Sequence, residues 1–265
     1  MGIEEDEYEI ILVDNGSSQP FDEAKYQRIA PNIRVVRYKP ASVSPVEAIN
    51  HGLALAKGAY TCVMIDGARM ASPGLLATGL KALQSSYETI VDSIAFHLGP
   101  DVQMKSILSG YNQVVENGLL KSVPWRKQGY RLFDISVFAS SSRDGWFTLP
   151  AETNALFMSD VMWSELGGFD RNFVSLGGGL ANLDMWKRAC MNAQSDVVLL
   201  AGEATFHQVH GGVATSSKEE KFATFNEEYR KIRGRKYTHP DVPFGIFGSF
   251  REDHQRSLEA SIKSK

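Results

Sequence analysis

The chain has 265 residues, of which 43% are hydrophobic and 22% charged, and its formal net charge is −3. This composition is that of an ordinary globular protein, and the charge is too small to indicate nucleic-acid binding by itself. No apolar run reaches the roughly 18 residues of a membrane span, and the acidic start does not resemble a secretory leader. With only two cysteines, we expect a reducing, cytoplasmic location, and peripheral association with a membrane stays open.

The first half of the chain alternates strand and helix patterns. Apolar runs that read as strands are followed by turn residues and by helical spacing of apolar residues. The predicted strands lie at 8–15, 32–39 and 59–68, and the predicted helices begin near Phe21, Ser44 and Ser72. Such strand–helix units imply right-handed crossovers, so we expect an α/β fold with a mostly parallel sheet flanked by helices.

The second half is less regular. We predict strands at 89–99, 154–159 and 196–200, and helices at 102–120, 181–193 and 216–234. Residues 121–150 lack a clear period and are expected to form a long loop with short strands. The tail from residue 236 to residue 265 ends in a polar helix.

Acidic residues stand at the ends of two predicted strands. Asp14, Asn15 and Gly16 end the first, and Asp66, Gly67 and Arg69 surround the end of the third. In an open α/β sheet the ligand crevice lies beyond the carboxyl ends of the strands, so both acids are candidate site residues. Asp14 is suited to accept the imide N–H of a uracil ring, and Asp66 to approach a diphosphate-bound metal. A plain Asx turn and a strand-end cap explain the same residues equally simply.

Two further stretches carry candidates. His207 and His210 lie beside a Gly-Gly pair, but in an extended segment an odd offset would point them to opposite faces. The glycines at 177–179 precede a helix that contains Asp184. They follow a loop rather than a strand and fit no phosphate-binding pattern, so we favour the wall of an active site over a phosphate cradle. A helix start with a stabilising acid is the simpler alternative.

The order of these motifs is more informative than any one of them. "EIILVDNGSS", "SPVEAINHGLALAKGAYTCVMIDGA", "NALFMSDVMWSELGGFDRNF", "LANLDMWKRA" and "FHQVHGG" follow one another over residues 8–212. This succession resembles the family 2 glycosyltransferases, which have a GT-A nucleotide-sugar domain. The resemblance implies one such domain over 1–265, with a nucleotide-binding half (1–96), a donor-sugar and acceptor half (97–235) and a tail (236–265).

The resemblance also implies roles for individual residues. The nucleotide would contact Asp14, Asn15, Gly16, Asn50, Asp66, Gly67 and Arg69. A divalent Mn²⁺ or Mg²⁺ would be held by Asp66 with His207 or His210. The donor sugar and acceptor would be walled by Asn154, Gly167, Gly168, Phe169, Asp170, Gly178 and Gly179. The implied reaction is transfer of a sugar from a nucleotide diphosphate, here expected to be UDP, to a saccharide, lipid-linked or protein acceptor.

Three departures from the family pattern matter. The strand and helix that usually precede "VDxGS" are not represented before Tyr8. Ala68 replaces the second acid of DxD, which should weaken metal binding. Asn182 occupies the position of the Asp that serves as general base in the family, and an amide cannot accept the acceptor's proton. Asp184 is the nearest carboxylate and is our candidate base, although two helical positions turn it about 200° away.

The departures leave two other functions open. A catalytically silent nucleotide-sugar-binding or scaffold protein on the same fold would tolerate both Ala68 and Asn182. A nucleotide-binding α/β domain with another chemistry is the third hypothesis. Neither composition nor spacing identifies the sugar or the acceptor, because acceptor specificity resides in variable loops.

Overall fold

The computed structural model describes residues 2–19, 21–65, 68–86, 88–192, 196–210 and 218–263. It confirms the predicted α/β class. The strands in these ranges are β1 (Ile10–Asp14), β2 (Ile33–Arg37), β3 (Tyr60–Val63), β4 (Arg69–Ala71), β5 (Thr89–Leu98), β6 (Ser136–Phe138), β7 (Leu156–Ser159), β8 (Asp196–His207) and β9 (Gly245–Gly248). The α-helices are α1 (Glu23–Gln27), α2 (Val46–Leu55), α3 (Leu75–Leu83), α4 (Gln103–Leu108), α5 (Gln113–Lys121), α6 (Asp160–Glu165), α7 (Ala181–Cys190), α8 (Lys218–Arg233) and α9 (Gln255–Lys263).

The larger sheet has seven strands built around β5 and β8, which run parallel to each other. The two halves of β5 pair with β7 and β6, and the two halves of β8 pair with β9 and β4. Strand β3 lies beyond β7 at one edge. The parallel pairing expected from the strand–helix units is present in β1–β2, β5–β8 and β8–β9, and the other four pairs are antiparallel. The sheet is therefore mixed.

The strands β1 and β2 form a separate parallel sheet. Within the described ranges, β1 pairs only with β2 and β3 pairs only with β7. The apolar residues 10–13 of β1 are consequently only half-buried, although their sequence is that of a buried strand. Helix α2 packs closely on β1, because a Cβ at Gly52 would lie 2.9 Å from Val13 Cγ2. The described strands thus form two separate sheets.

Several elements differ from the sequence-based expectation for identifiable reasons. The predicted helix 102–120 is divided into α4 and α5, because Gly110 adopts a φ of +89° and the Asn112 side chain caps α5 by accepting from the N–H groups of Val114 and Val115. The loop predicted at 121–150 contains three 3-10 helices and β6. Strand β8 extends to His207, well beyond the predicted 196–200.

The tail packs into the fold. Strand β9 pairs with β8, and α9 lies against the buried Trp146. The Trp146 backbone N–H donates to Ser261 Oγ at 3.1 Å, and its indole Nε1 donates to Ser257 Oγ at 3.1 Å. These bonds satisfy polar groups that burial would otherwise leave unpaired.

Candidate functional site

The two histidines lie side by side where β8 ends. The Nε2 atoms of His207 and His210 are 3.1 Å apart, and the ring centroids are 4.9 Å apart. The opposite orientation expected for an extended segment does not apply to this pair, because strand β8 ends at His207 and residues 208–210 lie outside it. Two ring nitrogens directed at one point are suited to share a proton or a metal ion.

Ala68 and Arg69 lie against the end of β8, which carries His207. The Gln208 N–H donates to the Ala68 carbonyl at 2.8 Å, and Arg69 is in register with His207. Asp66 and Gly67 lie outside the described residues. No group of three or more metal-ligating side chains occurs within the described ranges. The described residues thus supply a histidine pair to this site.

A third histidine, His97, packs beside the histidine pair. His97 lies beside His207 on the neighbouring strand, with ring centroids 5.5 Å apart, and its Nδ1 accepts the Gln103 N–H. Burial, with the nearby charges of His207 and Arg69, lowers the pKa of His97 to about 4. His97 is therefore neutral at pH 7. The sequence analysis missed it, because a single histidine within an apolar strand carries no distinguishing pattern.

Glu116 contacts the same corner from α5. Its Oε2 accepts the Val209 N–H at 2.8 Å and the Tyr111 hydroxyl at 3.3 Å. Burial raises the pKa of Glu116 above its ordinary value, although both of these hydrogen bonds favour the charged form. Glu116 thus ties α5 to the residue before His210. It too escaped the sequence analysis, since it is a helical glutamate like any other.

Arg69 and Asn154 belong to a buried network beneath the strand ends. Arg69 Nη1 donates to Asn154 Oδ1 and to Thr205 Oγ1, each at 3.3 Å. Asp92 Oδ1 accepts the N–H groups of Asn154 and Ala155. Burial raises the pKa of Asp92 to about 7 despite these donors. The network holds the start of β7 next to Arg69.

Asp14 is buried at the end of β1, with 1% of its surface exposed. Its Oδ1 accepts the Ser17 N–H at 2.7 Å, and Arg37 Nε lies 3.9 Å from Oδ2. Burial acts to raise the pKa of Asp14, but the bonds from Ser17 and the charge of Arg37 outweigh it, so the pKa is lowered. In the described part of the chain, Oδ2 accepts no hydrogen bond. An orphaned acceptor of this kind fits a ligand N–H.

Residues 42–45 connect Asp14 to the loop that contains the glycines at 177–179, which we call the glycine loop. Asn15 Nδ2 donates to the Ser42 carbonyl, and Ser44 Oγ donates to the Phe173 carbonyl at 2.6 Å. The Gly177 N–H donates to the Val43 carbonyl at 2.9 Å. Gly178 has a φ of +85°, and a Cβ there would lie 3.1 Å from Pro45 Cδ, so glycine is needed.

The two predicted catalytic residues have internal partners. The Thr153 hydroxyl bonds Asn182 Oδ1, and Asn182 Nδ2 donates to the Thr153 carbonyl at 3.0 Å. Asp184 is 1% exposed and accepts from Arg188 Nε at 2.8 Å and from Arg233 Nε and Nη2, each at 2.6 Å. A buried carboxylate held by two guanidinium groups is not placed to take an acceptor's proton. This geometry favours a structural role for Asp184.

The Gly-Gly-Phe-Asp segment is likewise held internally. Asn50 accepts the Phe169 N–H and donates to the Phe169 carbonyl, so both ends of its amide are used. Phe169 is buried against Trp163, and Asp170 pairs with Arg233 at 2.8 Å. Arg188 donates to the carbonyls of Leu166 and Gly168, and Gly179 packs near Glu228. These contacts favour structural roles for Asn50 and for 167–170.

One carboxylate near Asn182 was not identified from the sequence. Glu152 is half-buried and directly precedes Thr153, whose side chain and carbonyl bond Asn182. Its own carbonyl accepts from Asn154 Nδ2 at 3.2 Å. Within the described ranges its carboxylate forms no hydrogen bond or ion pair. It therefore lies on a loop between Arg69 and Asn182 with its side chain uncommitted.

The family model that matches this chain is Glycosyl transferase family 2, over residues 3–143. A search of curated proteins finds no match. Among solved structures, the chain is similar to S. aureus TarS residues 1–349 with UDP, at 12% identity and a TM-score of 0.52. That match covers 90% of this chain and 60% of that one.

Two further solved structures are similar. TarS 1–349 with UDP-GlcNAc matches at 13% identity and a TM-score of 0.51, covering 86% of this chain and 59% of that one. The mannosyltransferase PcManGT from Pyrobaculum calidifontis, with GDP-Man and Mn²⁺, matches at 12% identity and a TM-score of 0.49, covering 100% and 62%. The chain thus spans about 60% of the length of S. aureus TarS 1–349 with UDP. The feature that the two share is the GT-A fold, as predicted.

Proposed function

Since the chain belongs to glycosyltransferase family 2, we propose that it transfers a sugar from a UDP-linked donor to an acceptor hydroxyl with inversion at the anomeric carbon. The observation that carries this proposal is a polar rim that consists of two hydrogen-bonded stretches. One runs from Asp14 through 42–45 to the glycine loop, and the other runs from Asn182 through 152–154 and Arg69 to the histidine pair.

The donor would lie along this rim. Asp14 Oδ2 is the acceptor for the imide N–H of uracil, with Asn15 and Gly16 in the following turn. Asp66, His207 and His210 would hold Mn²⁺ or Mg²⁺, with the diphosphate compensating for Ala68. When bound, the metal would stabilise the negative charge of the departing diphosphate.

The base would be Glu152 rather than Asp184. An inverting transfer forms a bond from the acceptor oxygen to the anomeric carbon while the bond to the diphosphate breaks. The acceptor proton must go to a nearby carboxylate, and UDP leaves. Glu152 directly precedes Thr153 and Asn154 of the rim, and among the described residues its carboxylate accepts no hydrogen bond, whereas the carboxylate of Asp184 is held by Arg188 and Arg233. Asn182 would position the loop that carries Glu152 through its two bonds to Thr153.

Calorimetry tests the proposal directly. The full chain should bind UDP more tightly with Mn²⁺ than without it, and Asp66→Ala and His210→Ala should each remove that difference. His239→Ala is the matched control, because His239 is exposed and its ring contacts Tyr237. Failure to bind UDP would contradict the proposal. UDP binding without hydrolysis of UDP-GlcNAc or another UDP-sugar would favour a silent nucleotide-sugar-binding protein.

A further inference from the structure

The helices α4 and α5, with the turn that follows them, carry exposed side chains that the proposed reaction does not use. We define the basic hairpin as residues 102–128, and we propose that it docks this protein on an anionic lipid bilayer. No helix in the described ranges is long and apolar enough to cross a membrane. The proposal concerns binding to the membrane surface and is independent of the proposed function.

The tip of the basic hairpin exposes apolar side chains. Leu108 is 89% exposed and Val114 is 80% exposed, the two highest values among the large hydrophobic side chains that the structure describes. Both flank the tight turn at 109–112, and Val115 beside them is 48% exposed. Clustered apolar side chains that face water favour transfer into an apolar phase.

The charge of the basic hairpin is opposite to that of the whole chain. It carries Lys105, Lys121, Arg126 and Lys127, all exposed, in a protein whose net charge is −3. The carboxylate it contains, Glu116, is 2% exposed and bonds Tyr111 and Val209 in the interior. Asp101, just before the hairpin, pairs with Lys105 at 3.6 Å. The exposed surface is therefore cationic.

An exposed apolar residue and an exposed basic residue share one face of α5. Val114 and Lys121 are seven residues apart, which places them on the same side of the helix about 10 Å apart along its axis. Apolar side chains beside lysines on one face are typical of helices that lie in the headgroup region of an anionic bilayer. A nucleic acid or an acidic protein would engage the lysines but would gain little from Leu108 and Val114.

The basic hairpin is firmly attached to the candidate site. Gln103 at the start of α4 donates its N–H to His97, and Glu116 of α5 accepts the N–H of Val209. Docking at this surface would therefore hold the histidine pair at a fixed distance from the membrane. Such an arrangement suits an acceptor or a product that resides at the bilayer surface.

Vesicle co-sedimentation of the full chain tests the proposal. We expect binding to phosphatidylcholine vesicles that contain phosphatidylglycerol, weaker binding at high salt, and little binding to phosphatidylcholine alone. The double variant Leu108→Ser, Val114→Ser should lower the partition coefficient about ten-fold, because both side chains lose their apolar contact with the bilayer. Lys121→Ser and Lys127→Ser should each lower it about five-fold.

The matched control is the double variant Ile29→Ser, Ile262→Ser, which removes side chains that are 71% and 61% exposed elsewhere on the surface. It should bind as the unaltered chain does. Thermal unfolding of each variant shows whether it is folded, and exposed substitutions should leave the midpoint unchanged. The proposal is overturned if the unaltered chain does not sediment with anionic vesicles, or if the hairpin variants bind as well as the control.

Discussion

Asp184 illustrates how a residue's surroundings decide its role. Its buried carboxylate bonds Arg188 and Arg233, and Arg233 also pairs with Asp170. The hydrogen bond to Asp184, together with the charge of that carboxylate, raises the pKa of Arg233 further above its ordinary value, so this guanidinium stays charged. This set of ion pairs and hydrogen bonds joins α7, α8 and the 166–170 segment.

Asp184→Asn should destabilise the fold, since it leaves two guanidinium groups without their buried counter-charge. We expect the free energy of unfolding to fall by about 3 kcal/mol. Urea denaturation measures this, with the exposed Glu165→Gln as the control. A variant as stable as the unaltered protein, but with much slower turnover, would restore Asp184 as the candidate base.

Glu152→Gln should have the opposite profile. The amide keeps the shape of the side chain but cannot accept a proton, so turnover should fall about 10²-fold or more with unchanged stability and unchanged affinity for UDP. Initial rates of UDP release from UDP-GlcNAc or another accepted UDP-sugar measure the change. An unaltered rate would remove Glu152 as the base while leaving the proposed reaction untouched.

Asp92 should give a pH-dependent difference in stability. The folded carboxyl retains its proton up to about pH 7, whereas the unfolded one releases it above its ordinary pKa of 3.8. Raising the pH from 4 to 7 therefore lowers the free energy of unfolding of the unaltered protein through Asp92. Asp92→Asn does not lose this stability, because the amide does not titrate.

The variant's advantage in free energy of unfolding should consequently grow by on the order of 4 kcal/mol over this window. Denaturation curves at several pH values measure it. Asp196→Asn, an exposed control, should show no such trend.

At this scale the sequence reveals which side chains could bind a ligand or transfer a proton. It does not reveal which of them are already bonded to other parts of the protein. Asp14 was proposed because it stands at the end of a predicted strand, and His207 and His210 because they lie beside a Gly-Gly pair. Asn50, Asp170 and Asp184 were assigned to the site by resemblance, whereas their bonding atoms are largely taken by backbone groups and arginines distant in sequence. Glu152 was missed because no local pattern distinguishes an uncommitted carboxylate from a paired one.

At the scale of elements, α8 holds the glycine loop in place. Glu228 Oε1 accepts the N–H groups of Val174 and Ser175 at 2.9 and 2.8 Å. Phe225 and Glu228 also approach Gly179, whose φ is +55°. The conformation of the loop therefore depends on a helix that begins almost forty residues later in the chain.

Glu228→Ala should loosen the loop, because two N–H groups lose a charged acceptor. We expect a loss of stability of about 1–2 kcal/mol and faster hydrogen exchange at Val174 and Ser175. Glu227→Ala is the matched control, since its neighbouring carboxylate faces solvent and pairs with Arg230 at 3.1 Å. Equal exchange in the two variants would contradict this role.

Local signals located most elements and failed where partners are distant. The apolar runs and Ser-Pro starts predicted β1, β2, β3, α2 and α3, because these depend on neighbouring residues. Strands β4 and β9 are three and four residues long and exist through their pairing with β8. No property of their own sequences required a strand.

At the scale of the molecule, the order of motifs predicted the family and fold, and both are confirmed. The strand order and mixed pairing could not be derived in the same way. Strands β5 and β8 pair in parallel although their paired residues lie more than a hundred positions apart in the chain. Such pairings arise from packing of the whole chain, and local spacing does not encode them.

The separation of β1 and β2 from the larger sheet has a consequence for thermal unfolding. The two strands that would grip the nucleobase share no ladder with the seven-stranded sheet in the described ranges, and a lone pair of strands is marginal in stability. We expect β1 and β2 to fray first on heating, as an early step in a calorimetric scan ahead of the main melt. Saturation with UDP should delay that step and leave the main melt nearly unmoved, so the melting profile itself would report the ligand.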